Sequence, residues 1–323
     1  MFSVKALARL ENPNEVIRPM RKYLPEDFAR CDEDESGITF KVMCDYLTMF
    51  DILEKALARR LADECGITLL QYRLMVVLDE LGEMKSGRLA DELDARPPTI
   101  TMASVKLADR SLVKRRESAN DMRLVMLSLT EAGVALAKKA DEAAKQVLFE
   151  YWNTLSNAHL RAILTGAAST VERHGRKREE IEAAKIVSMN TEAVIITKSL
   201  VSKALRDAGV SLGEYRVLLA IRVVSGHCCC ADVASTLFLK QSDIVSSLKS
   251  LEKKGLITRS KSEANRRVRL LALTEQGSTR LCALTKAASK ALYSASFCND
   301  EQINVLISIA TELASRKRTS NFA

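Results

Sequence analysis

The chain has 323 residues, of which 47% are hydrophobic and only 5% aromatic, with 12 glycines and 5 prolines, a composition that favours helices packed through Leu, Ala, Val and Ile in two domains. Its formal net charge of +8 points to a polyanionic partner. No run of 18 apolar residues exists, which excludes a membrane-spanning helix, and the opening MFSVKALARLENPNE lacks a signal-peptide apolar region. These features imply a cytoplasmic protein whose eight cysteines are reduced thiols rather than a disulfide framework.

Residues 1–36 form an N-terminal extension broken by Pro13, Pro19 and Pro25, with an acidic run at Cys31–Glu35. They read either as a lead segment or, over Val16–Leu24, as an extra helix. Phe40 to Glu64 is a long amphipathic helix with Met43, Leu47, Phe50, Leu53, Leu57 and Leu61 on one stripe, ended by Gly66. The stripe is wider than one small domain needs, so part of it is expected to pack on another element. GITLLQYRLMVVL is the next helix, and a short one follows around Leu89 and Leu93. A third begins Arg96-Pro97-Pro98-Thr99, where prolines suit a first turn, and turns Ile100, Ala103 and Leu107 inward. A basic hairpin and Leu129-Thr130-Glu131-Ala132-Gly133 lead into two more helices, over Glu131–Val171, with Ser156 an N-cap for the second. His174 to Glu180 is a charged join, read as a solvated linker whose basic residues could alternatively touch DNA.

A helix over Ile181–Ala208 opens the remaining part, and the pattern then recurs with clearer signals. Leu212, Tyr215, Leu218, Leu219 and Val223 mark one helix, Asp232–Phe238 a short one, and Ser242–Lys254 a third that turns Ile244, Val245, Leu248 and Leu251 inward and that Gly255 stops. Strand-like runs Leu256–Ser260 and Val268–Leu273 flank a basic loop at Lys261–Arg267, and a helical stretch over Glu275–Arg316 follows. Three helices closed by a β-hairpin is the order of a winged helix-turn-helix, which sets a helix face beside a basic hairpin tip and suits DNA. The segment Gly66–Gly133 aligns on Gly209–Gly277 with an offset of 143 residues before the second helix and 144 after it. A whole domain is therefore duplicated, with one loop residue inserted. The boundaries drawn are 37–174 for the first winged-helix domain, 175–180 for a short linker and 181–323 for the second.

The Leu-Glu-Lys-Lys-Gly-Leu-Ile end of the third helix at Leu251–Ile257, the wing Asn265-Arg266-Arg267 and the Leu273-Thr-Glu-Gln-Gly277 motif resemble the multiple-antibiotic-resistance regulator (MarR) family of transcription factors. The first copy is looser, with Asp121-Met122-Arg123 at its wing. The resemblance implies a mainly α fold with small β-hairpin wings and two winged helix-turn-helix domains in a pseudo-two-fold arrangement. In the family the first and last helices form a dimer interface, so a short join implies that one chain is an internal pseudo-dimer, with further dimerisation open.

The outward face of the third helix presents Thr99, Thr101, Met102 and Lys106 in the first copy, and Gln241, Ser242, Asp243, Ser246 and Lys249 in the second. Such groups can donate to phosphates or base edges, and Met102 can touch a thymine methyl. Asp243 would repel phosphates unless it reads cytosine or caps the helix. The wings add Lys114, Arg115, Arg116 and Arg123, and Arg259, Lys261, Arg266, Arg267 and Arg269. By resemblance, Arg123 and Arg267 enter the minor groove.

Other sites are weaker. His227-Cys228-Cys229-Cys230 reads as a short strand in which Cys228 and Cys230 share a face. Structural thiols, a redox sensor and a metal site are the readings, with structural thiols favoured because a fourth metal ligand is missing. Cys44, near Tyr46 in the first helix, is a redox candidate by resemblance. Phe50, Tyr72 and Met75, and Tyr215 in the second copy, are candidates to line an effector pocket. No catalytic constellation, metal site or cofactor motif stands out. The reading is a DNA-binding repressor, not an enzyme, acting on a roughly palindromic operator in double-stranded DNA and released by a small aromatic ligand or an oxidant. A winged-helix protein-interaction scaffold is the alternative.

Overall fold

The computed structural model describes residues 38–93, 95–118, 121–153, 155, 157–177, 186–224, 228–261, 268–296 and 309. Ser156, His227 and the N-terminal extension lie outside them. The first copy runs α1 (Ile38–Cys65), α2 (Leu69–Leu81), β1 (Met84–Lys85), α3 (Ser86–Glu92), α4 (Pro97–Asp109), β2 (Val113–Ser118), β3 (Asp121–Leu129), α5 (Glu131–Trp152) and α6 (Asn157–Arg173). The second runs α7 (Ile186–Asp207), α8 (Leu212–Val224), β4 (Cys228–Cys229), α9 (Cys230–Thr236), α10 (Gln241–Lys253), β5 (Ile257–Lys261), β6 (Arg269–Leu273) and α11 (Glu275–Ser296). Each copy closes with a three-stranded antiparallel sheet, ordered β1-β3-β2 and β4-β6-β5. The registers correspond: Met84 pairs with Leu127 and Cys228 with Leu271. The extra residue of the second copy falls between Val224 and Cys228, where α8 gives way to β4.

The same local chemistry starts equivalent elements. Helix α2 opens on a capping box, in which the Gln71 amide donates to Thr68 Oγ1 (3.2 Å) and the Thr68 amide to Gln71 Oε1 (2.9 Å). Ser211 and Glu214 repeat it at α8, at 3.2 and 2.7 Å. Here the partner is a buried carboxylate, which also accepts from Lys254 Nζ at 2.7 Å. Burial works to raise the Glu214 carboxyl, but hydrogen bonds from Lys254, Ser250 and Ser211 outweigh it and hold the group at about 2. A carboxyl held below its ordinary value stabilises the fold above the unfolded value and stops doing so as pH falls toward the folded one. Urea unfolding of the second copy is therefore expected to lose on the order of 2–3 kcal/mol between pH 5 and pH 2. Glu214→Gln, which copies Gln71, should flatten that dependence; an unchanged profile would show that Glu214 is not its source.

The Leu-Thr-Glu-x-Gly motif has a geometric cause. The Thr130 amide donates to Leu112 O (3.1 Å), its hydroxyl to Ser111 O (2.8 Å), and the Gly133 amide donates back to Thr130 Oγ1 (2.9 Å). Thr274, Leu256, Gly255 and Gly277 repeat this at 3.1, 2.7 and 2.8 Å. One threonine thus clamps the start of α5 or α11 to the start of β2 or β5. The residue ending the recognition helix turns left-handed, at φ 69° in Gly255 and φ 57° in Ser111. The first copy uses a serine where glycine bears less strain.

The compact units cut across the repeat boundaries. Among the described residues, one unit holds those of 53–155 and 171–196, and the other those of 38–52, 157–170 and 197–309. Helix α1 therefore gives its second half to the first head and its first half to the second. This accounts for the wide stripe: Leu57 and Leu61 belong to the core of the first unit, while Phe40, Met43 and Leu47 are buried and belong to the second. Reciprocally, Val187 of α7 joins the first head's core, which is built on Tyr72, Met75, Leu89, Ile100, Leu107 and Leu127. In the second unit Asp51 of α1 pairs with Arg216 at 3.0 Å and Lys198 at 3.7 Å.

The join also departs from expectation. Arg176 is 8% exposed, and its guanidinium meets Glu80 at 3.1 Å and Glu192 at 2.9 Å within the first unit. Gly175, at φ 105°, and the Arg176 amide, donating to Val171 O, turn the chain inward after α6. Arg176 thus belongs to a buried ion cluster, whereas His174 and Lys177 beside it are exposed as a solvated linker would be; residues 178–185 lie outside the described residues. Among the described residues, no helix is long and apolar enough to cross a membrane.

Candidate nucleic-acid interface

Helix α4 buries Ile100, Ala103, Ser104 and Leu107 and leaves Thr99, Thr101, Met102, Val105 and Lys106 exposed. Helix α10 buries Ile244, Leu248 and Leu251 and leaves Gln241, Ser242, Asp243, Val245, Ser246 and Lys249 exposed. Each copy thus brings its sequence-chosen residues onto one outward helix face. Val105 belongs to the first of these faces, and Val245, expected inward with Ile244, Leu248 and Leu251, is instead 38% exposed and belongs to the second.

Within the faces, several polar groups already have partners. Asp243 accepts from the Lys240 amide (3.1 Å) and from the Ser242 hydroxyl (3.1 Å), so it caps the helix. The Thr101 hydroxyl donates to Pro97 O at 3.1 Å, leaving its oxygen as an acceptor. Behind the face, Arg73 Nη2 donates to Leu93 O at 3.1 Å and Arg216 Nη2 to Leu237 O at 3.4 Å. These two arginines occupy equivalent positions and tie α2 and α8 to the ends of α3 and α9. Sequence reading passed over them, although their alignment at the 143-residue offset was the available signal.

The wings divide. Arg115 donates to Ser104 Oγ and, at 3.4 Å, to Thr101 O, which braces β2 against α4. The equivalent Arg259 pairs with Glu252 of α10 at 3.1 Å. Arg116, on the opposite face of the strand, pairs with Glu83 at 2.6 Å. Arg115 and Arg116, expected as wing contacts to DNA, are thus engaged with the protein; strand alternation sends one to the recognition helix and the other to the β1 turn. Lys114 and Lys261 are exposed. The Arg123 side chain, Arg266 and Arg267 lie outside the described residues.

Of the effector-pocket candidates, Tyr72 and Met75 belong to the first unit, and Phe50 and Tyr215 to the second. Met75 and Tyr215 are wholly buried core residues. The Tyr72 hydroxyl donates to Asp141 Oδ1 and the Tyr215 hydroxyl to Thr285 Oγ1, both at 2.9 Å, an equivalent tie from α2 to α5 and from α8 to α11. Tyr72 also borders a narrow cavity shared with Arg73, Leu93, Arg176 and Glu192. Phe50 is half-buried, its ring centroid 4.5 Å from that of Tyr46.

Cys44 is fully buried, so an oxidant would have to open the second unit to reach it. The cysteine strand is shorter than alternation suggested: β4 ends at Cys229 and Cys230 starts α9, so Cys228 and Cys230 do not share a strand face. Burial pushes the Cys228 thiol up to about 11 and raises that of Cys230, which keeps both protonated at neutral pH. Among the described residues, no group of three or more His, Cys, Asp or Glu side chains could hold a metal ion.

Two helix-turn-helix heads, each with a β-hairpin wing beside an exposed third-helix face, define a DNA-binding winged-helix protein. Residues 67–125 and 208–268 each match a sequence profile of the MarR family. The chain is 31% identical over 109 residues to the HTH-type transcriptional regulator YhbI of Bacillus subtilis, covering 34% of this chain and 71% of that protein. It is 27% identical over 119 residues to the HTH-type transcriptional repressor MdtR of the same organism, covering 35% of this chain and 77% of that protein. Among solved structures, the transcriptional regulator BldR from Sulfolobus solfataricus is 20% identical with a TM-score of 0.37, over 43% of this chain and 99% of that one. The chain belongs to the MarR family and carries two of its domains, as a regulator of transcription.

Proposed function

We propose that the chain represses transcription as a single-chain pseudo-dimer that places both heads on one two-part operator and is released by a small aromatic effector or an oxidant. The observation that carries this reading is the exchange of segments between copies. The unit around the first head incorporates the start of α7, and the unit around the second head incorporates the first half of α1. A homodimer obtains two heads from two chains joined by terminal helices; here one chain supplies both sets. The name of the relative MdtR supports repression. DNA contact is assigned to Thr99, Thr101, Met102 and Lys106, to Gln241, Ser242, Ser246 and Lys249, and to wing residues Lys261, Arg266, Arg123 and Arg267.

Sedimentation of the intact chain with a duplex from its own upstream region tests the reading. One chain per duplex is expected, with a footprint over two successive major grooves about 34–36 Å apart. Log affinity should fall steeply with log salt, and Arg123→Ala with Arg267→Ala should flatten the slope. A strict requirement for two chains per site would overturn the pseudo-dimer.

A further inference from the structure

We infer that the two heads read chemically different half-sites, the first selecting thymine methyl groups through an apolar patch of Met102 and Val105, so that the chain docks on its operator in one orientation. The inference rests on the DNA-binding reading and goes beyond it by naming what each head recognises. Among the described residues, four large hydrophobic side chains are well exposed, and three of them lie on recognition helices: Met102 at 63%, Val105 at 39% and Val245 at 38%. Water-facing apolar side chains concentrated on the faces that meet DNA have a natural counterpart in the major groove, the thymine C5-methyl.

The placement is unequal between heads. Met102 and Val105 are three residues apart and adjacent on one helix face. At the 144-residue offset their equivalents are Ser246 and Lys249, a hydroxyl and an ammonium that suit guanine acceptors or phosphate. The helix starts differ in the same sense. Pro97 and Pro98 open α4 and bring no N–H, whereas Gln241 and Ser242 open α10 with backbone donors. The first head thus presents a paired apolar patch, Met102 with Val105, beside Thr99, Thr101 and Lys106, whereas the second presents the single Val245 among Gln241, Ser242, Ser246 and Lys249. Two such heads on one chain are not interchangeable, so a true palindrome would waste one of them.

The test uses the full chain and a pool of randomised duplexes. The selected consensus should be asymmetric, with more contacted thymines in the half read by the first head. Replacing those thymines by deoxyuridine removes the methyl and nothing else, and should weaken binding about fourfold per contacted methyl. The same replacement in the other half should have a smaller total effect, set by Val245 alone. Met102→Ser with Val105→Lys, exposed positions whose exchange leaves the thermal unfolding midpoint as a check on folding, should abolish the uracil effect and shift the selected consensus toward a palindrome of the second half-site. A palindromic consensus for the unmodified chain, or indifference to deoxyuridine in both halves, would overturn the inference while leaving DNA binding intact. Failure to enrich any duplex would overturn the DNA-binding reading itself, and the inference with it.

Discussion

Gly277→Ala should destabilise the second head by about 3 kcal/mol or more, and Gly133→Ala the first by as much. A Cβ at Gly277 would sit 1.9 Å from Leu256 O, and one at Gly133 2.0 Å from Leu112 O. Both obstacles are backbone carbonyls. Neither can rotate away as a side chain would, because each accepts from the clamping threonine amide at 3.1 Å. Relief requires the start of α5 or α11 to move off its sheet, which breaks the threonine clamp as well. Urea unfolding followed by circular dichroism reads the loss, and DNA affinity should fall with it, since the wing strand hangs on this junction. Gly87→Ala is the control: nothing lies within 4 Å of its Cβ, and alanine in a helix should be neutral or stabilising by up to about 1 kcal/mol. Equal losses at all three positions would show that the close approach is not the cause.

The motif containing these glycines was legible in the sequence because its cause is local. Thr274 and Gly277 act within one turn of chain, and so do the capping pairs that start α2 and α8. Helix faces follow from spacing for the same reason, which puts Met102 and Lys249 outward, although Val245, expected inward, is exposed. What the sequence left hidden depends on distant partners. Arg176 in HGRKREE is indistinguishable by composition from a solvated linker charge; its burial is decided by Glu80, 96 residues away, and Glu192, 16 residues away. The division of α1 between two units showed only as an over-wide stripe, with nothing local to say which core takes which half. Arg115 and Arg116 were grouped as wing cations, although period-two alternation already required them to point opposite ways.

Arg176→Met should cost the first unit about 3–5 kcal/mol at neutral pH, because two buried carboxylates lose their shared cation while the apolar stem is kept. Glu80 and Glu192 are 10% and 13% exposed, too dry for water to replace the guanidinium. Glu80 would retain the Ser188 hydroxyl, which donates to it at 2.9 Å. Burial already raises the Glu192 carboxyl against the pull of Arg176, and removing Arg176 must raise it further. The sign of the pH dependence follows. A carboxyl whose folded value lies above its unfolded one binds its proton more tightly in the native state, so stability is lost as pH rises between the two values. The gap between the variant and the parent should therefore be widest near neutral pH and narrow toward about pH 4.5, where the Glu192 carboxylate takes up its proton. Glu192→Gln in the Arg176→Met background removes the Glu192 charge and should restore part of the loss, whereas additive costs would mean that the two residues do not interact. A solvated linker arginine would show none of this, and a loss below about 0.5 kcal/mol at every pH would return Arg176 to that role.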